Sequence, residues 1–109
     1  MVIEYIRYRI AEEQAPAFLQ AYRQAQHSLT ASAHCLGFEL SQCLEEPTRY
    51  VLRIEWDSME GHLEGFRRSG EFRVFLGHVR PFVEWIEEMQ YYQVIALSED
   101  ASKEGITIQ

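Results

Sequence analysis

Three stretches of the chain alternate between two faces with a period of two, the mark of half-buried strands. From Val2 to Ile10, one face carries Val2, Glu4, Ile6, Tyr8 and Ile10, and the other Ile3, Tyr5, Arg7 and Arg9. From Phe38 to Leu44, Phe38, Leu40, Gln42 and Leu44 oppose Glu39, Ser41 and Cys43. From Arg49 to Trp56, Tyr50, Leu52, Ile54 and Trp56 oppose Val51, Arg53 and Glu55. The polar Glu45-Glu46-Pro47 between the second and third stretches predicts a tight turn and an antiparallel hairpin.

Elsewhere the period lengthens. Ala15, Phe18, Leu19, Tyr22, Ala25 and Leu29 recur at helical spacing, with Pro16 where a first turn tolerates it. Asp57 or Ser58 caps a second helical region, Glu60 standing three residues after Asp57 in the capping-box pattern. There Met59, His62, Leu63 and Phe66 share one face, and Phe72, Phe75, Leu76 and Val79 form a further stripe that Pro81 ends or kinks. Met89 to Leu97 reads as a fourth strand, with Met89, Tyr91, Gln93 and Ile95 on one side. The predicted order is βαββαβ with a broken second helix, an α+β domain over residues 1–97. Residues 98–109 read as a polar tail or a dimer arm.

Such a sheet, roofed by helices on one side, leaves Ile3, Tyr5, Val51, Tyr92 and Val94 on the other among charges. Apolar patches of that size usually meet a partner, so a second copy is expected there, with Arg7, Arg9, Arg53, Glu39 and Glu55 available for ion pairs inside the dimer.

Composition narrows the classes. A chain of 109 residues with 47% hydrophobic content supports one core. Charge within the first seven residues argues against a signal peptide, and no apolar run approaches the ~20 residues of a membrane span, so a cytoplasmic protein without a membrane partner is expected. A net charge of −7 argues against nucleic acid. The RNA-recognition module shares the βαββαβ order, but its basic-Gly-aromatic third strand is missing from Tyr50–Trp56. Cys35 and Cys43 lie roughly 25 Å apart if the segment is extended at ~3.3 Å per residue, too far to pair. No spacing suggests a metal site, and none is expected.

His34-Cys35-Leu36-Gly37-Phe38-Glu39-Leu40, Tyr50 through Ser58, and Gly65-Phe66-Arg67-Arg68-Ser69-Gly70-Glu71-Phe72 follow one another in an order and spacing that resembles the antibiotic biosynthesis monooxygenase family. The resemblance implies a ferredoxin-like fold with a four-stranded antiparallel sheet, two copies forming a dimeric α+β barrel. Family activities include cofactor-free oxidation of polycyclic phenols and anthrones by dioxygen, quinol-linked reactions, and haem binding and degradation in one branch, and other members have no known reaction. The haem branch's asparagine, tryptophan and histidine would correspond here to Ile6, Gly65 or Phe66, and Leu76, so none is retained.

Cofactor-free oxygenation needs a dry aromatic cavity, a base, and donors that hold an anion. His62, on an apolar stripe between Met59 and Phe66, is the candidate base, or else a core-edge histidine bonded to a carbonyl. Tyr8, Gln42, Trp56, Phe66 and His78 are the candidate substrate-binding residues, and Glu4 belongs either to a frayed sheet edge or to the cavity. Two functions remain open: a cofactor-independent monooxygenase acting on a small aromatic or quinol-like molecule, and a non-catalytic small-molecule-binding or interaction dimer.

Overall fold

The computed structural model describes residues 1–96, so the tail or arm expected at 98–109 lies outside the described residues. β1 spans Val2–Arg9, α1 Ala15–Ala31, β2 Cys35–Gln42, β3 Arg49–Trp56, α2 Gly70–Val79 and β4 Ile86–Gln93. A π turn at Gly61–Gly65 and 3-10 turns at Phe66–Arg68 and Arg80–Trp85 break the second helical region. The sheet order is β2-β3-β1-β4 with every neighbouring pair antiparallel. This is the expected ferredoxin-like α+β arrangement.

The two strands with the cleanest alternation, β1 and β3, pair at the centre from Val2–Trp56 to Arg9–Arg49. Their inner face buries Ile6, Tyr8, Tyr50, Leu52, Ile54 and Trp56. α1 lays Phe18, Tyr22, Ala25 and Leu29 on it, and α2 contributes Phe75 and Val79. Each buried Val, Leu or Phe among these contributes about 1.5–3 kcal/mol.

Two local expectations change, and a third is settled between its alternatives. β4 starts three residues before Met89 and stops at Gln93, because its pairs with β1 run only between Val2–Gln93 and Tyr8–Ile86. Leu44 is 92% exposed instead of facing inward, since β2 ends at Gln42. Ser58 is the cap, its hydroxyl accepting from Gly61 N–H at 2.8 Å, whereas the Asp57 carboxylate is engaged by His34 Nδ1 at 2.9 Å.

On the outer face Ile3 is buried, Tyr5 and Val51 are half-buried and Tyr92 is exposed. Within the chain Arg7 pairs with Glu88 at 2.9 Å, Arg9 with Glu87 at 3.2 Å and Arg53 with Glu55 at 3.0 Å. Cys35 and Cys43 are both free thiols. Among the described residues no helix is long and apolar enough to cross a membrane.

Candidate functional site

Between the sheet and the α2 side lies a cavity of about 210 Å³. β1 supplies Glu4, Ile6 and Tyr8, β3 supplies Ile54 and Trp56, and β4 supplies Ile86 and Met89. The helical wall comprises His62, Phe66, Arg67, Phe72, Phe75, Leu76, Val79 and Val83. Most of this lining is hydrocarbon, so the few polar atoms decide what the cavity can do.

His62 enters because the helix widens at it. In the π turn, Phe66 N–H reaches both Gly61 O and His62 O, and π turns of this kind concentrate at functional sites. The two glycines let the His34 ring lie across the widened turn: a Cβ on Gly65 would collide with that ring, and one on Gly61 with the Asp57 carboxylate. His62 then sits 4.4 Å from the Trp56 ring, with Phe66 4.9 Å from the same indole.

His62 is 2% exposed, and its Nε2 lies 2.9 Å from the Tyr91 hydroxyl and 3.8 Å from Glu4 Oε1. Among the described residues Nδ1 is buried with no hydrogen-bond partner. Burial, and then the Arg67 guanidinium, push the imidazole down to about 4, leaving it neutral at physiological pH. Among the described residues its hydrogen-bond partner is the Tyr91 hydroxyl and not a carbonyl.

Glu4 is 2% exposed and belongs to the cavity, not to a frayed edge. Trp56 Nε1–H donates to its Oε1 at 3.0 Å, satisfying the buried indole. Burial raises the Glu4 carboxyl, while Trp56, Tyr91 and Arg67 act against that rise. Tyr91, facing Glu4, is pushed up to about 12 by burial. At the far end of β1 the Tyr8 hydroxyl bonds to that of Tyr22, and burial pushes Tyr8 up to about 12.

Of the sequence candidates, His62, Tyr8, Trp56 and Phe66 come together around the cavity, and Gln42 and His78 do not. Gln42 stands on the edge strand β2, exposed, donating to Pro47 O at 2.8 Å and to the Tyr50 hydroxyl at 3.2 Å. β3 separates β2 from the cavity, so the inner-face register of Gln42 leads elsewhere. His78 is half-buried on α2 but lies outside the lining that Phe75, Leu76 and Val79 provide. Tyr91 and Arg67 were missed. Tyr91 alternates with Met89 on the inner face of β4, a signal available in the sequence. Arg67 follows the π turn, where helical periodicity is lost.

The polar end of the cavity thus holds a neutral imidazole and a buried carboxyl on hydrocarbon walls. Among the described residues no group of three or more His, Cys, Asp or Glu is placed to hold a metal.

The family model described as "Antibiotic biosynthesis monooxygenase" matches residues 1–77. The chain belongs to this family. An uncharacterized protein, YczJ of Bacillus subtilis, is 31% identical over 93 residues, which cover 85% of this chain and 98% of that one. A solved structure from Bordetella bronchiseptica assigned to the antibiotic biosynthesis monooxygenases superposes with a TM-score of 0.69 at 21% identity, covering 87% of this chain and 97% of that one. A conserved protein from Methanosarcina mazei gives 0.71 at 19% identity, covering 84% and 90%. At these identities the structures establish the common fold of the family.

Proposed function

We propose that this family member is a cofactor-independent monooxygenase that oxidises a small, single-ring phenol or hydroquinone with dioxygen, working as a homodimer. The observation that carries the reading is the buried Nδ1 of a neutral His62, left without a partner among the described residues beside a largely apolar cavity. An orphaned polar atom in such a place costs about 1–3 kcal/mol unless a ligand satisfies it.

Size sets the substrate class. An apolar cavity of about 150 Å³ takes up benzene, and pockets for drug-sized ligands begin near ~300 Å³. At about 210 Å³ the cavity suits one substituted ring rather than a fused polycycle. Tyr8, Trp56 and Phe66 line the ring's surroundings, and Arg67 lends positive charge near a developing anion.

The chemistry asks little beyond that. His62 accepts the hydroxyl proton, and the electron-rich anion passes one electron to dioxygen. The radical pair joins as a ring peroxide, which loses water, so that phenol plus dioxygen becomes quinone plus water. Every electron comes from the substrate.

A base whose conjugate acid sits at about 4 is weak, and that observation favours a second reading, ligand binding without turnover. Oxygen uptake with a panel of phenols and hydroquinones separates the two. Turnover that falls about 10²-fold or more in His62→Ala supports catalysis; tight binding with no uptake supports the second reading. The dimer uses the sheet face bearing Ile3, Tyr5, Val51 and Tyr92, and the domain spans residues 1–97, followed by 98–109 as a polar tail or dimer arm.

A further inference from the structure

We propose that Glu4 is the final acceptor of the substrate proton, reached from His62 through Tyr91, so that His62 carries the proton and Glu4 keeps it. The proposal rests on reading the cavity as a phenol site.

Hydrogen-bond direction is the first support. The groups facing the Glu4 carboxyl are the Trp56 indole N–H at 3.0 Å, Tyr91 directly across from it in the β1–β4 register, His62 Nε2 at 3.8 Å and the Arg67 charge. All are donors or cations, the setting of a carboxylate. If Tyr91 donates to Glu4, its oxygen is free to accept from His62 Nε2–H across 2.9 Å. That tautomer leaves a bare lone pair on Nδ1, the buried atom with no partner.

Charge conservation is the second. A proton resting on His62 would turn two neutral groups, phenol and imidazole, into a buried ion pair. A proton resting on Glu4 only moves one negative charge from the carboxylate to the substrate oxygen, creating no new buried charge. Burial acts in the same sense, lowering the proton affinity of His62 and raising that of Glu4.

The step balances. The substrate O–H bond breaks as Nδ1–H forms, Nε2–H passes to the Tyr91 oxygen, and the original Tyr91 hydrogen goes to Glu4. Phenol and carboxylate become phenolate and carboxylic acid, with no electron transferred.

4-Nitrophenol tests this without turnover, because its ionised form is coloured. Bound to the wild-type chain, it should ionise about one pKa unit below its value in water, a tenfold rise in the bound phenolate-to-phenol ratio. In Glu4→Gln, whose amide oxygen still accepts from Trp56, and in Tyr91→Phe, the probe should still bind but lose that shift. Near-UV circular dichroism checks that Trp56 stays packed in each. A wild-type shift retained in either variant overturns the relay and leaves the phenol site standing. Failure of the wild-type chain to bind the probe removes the phenol site, and the relay with it.

Discussion

Glu4 and His62 face each other under the sheet and respond to burial in opposite senses. An unfolded histidine takes up a proton near pH 6.5, the folded His62 only near 4. Between those values the unfolded chain binds more protons at this position, so acidification costs stability. The expected loss attributable to His62 between pH 6.5 and 4 is at most about 3 kcal/mol. Urea unfolding of His62→Gln at pH 7 and pH 4.5 checks it, since the variant should lose less than the wild-type chain over that interval. Glu4 has the other sign. With its folded pKa raised above 4.5, its contribution falls as pH rises through the window above that value, so Glu4→Gln should be at least as stable as wild type at pH 7. Alternation placed Glu4 and Tyr91 on the inner face, but alternation cannot say whether a polar group there meets solvent or a partner. Trp56 and His62, 52 and 58 residues away along the chain, settle that.

The second helical region shows where periodicity stops being a guide. Met59, His62, Leu63 and Phe66 share a face on an ideal helix, yet the π turn buries His62 and Phe66 and leaves Leu63 exposed. Ser69 then ends the irregular stretch, its hydroxyl accepting from Phe72 N–H at 3.2 Å to start α2. Phe66 is 3% exposed and packs on Trp56, Phe72 and Phe75, so Phe66→Ala should cost about 3–5 kcal/mol in denaturant unfolding. Gly77 is different. It lies inside α2 on an exposed turn where an added Cβ meets nothing within 4 Å among the described residues. Gly77→Ala should therefore stabilise the fold by about 0.5–1 kcal/mol, read as a rise in Tm.

The proposed dimer would form through the outer face of the sheet. Tyr92, 46% exposed, stacks edge-on against Tyr5 with ring centroids 5.3 Å apart, and Val51 stands half-buried on the neighbouring strand. The surrounding arginines already have acidic partners on their own chain, so a second copy would be held by this apolar centre rather than by new salt bridges. Exposed ion pairs contribute only about 0–1 kcal/mol in any case. Val51→Glu combined with Tyr92→Glu should yield a monomer by light scattering, with an unchanged far-UV circular dichroism spectrum. A variant that stays dimeric would place the interface elsewhere.

Strand and helix identities, their order and the two faces of the sheet were readable from hydrophobic spacing, because that spacing is a local property: each residue's side follows from its neighbours. The candidate base and three of its aromatic companions were readable for the same reason. The extent of β4, the loss of Gln42 and His78 from the site, and the cluster of Glu4, His62 and Tyr91 depended on which strand pairs with which and on where a helix widens. Those are matters of long-range contact, and one-dimensional periodicity carries no record of them.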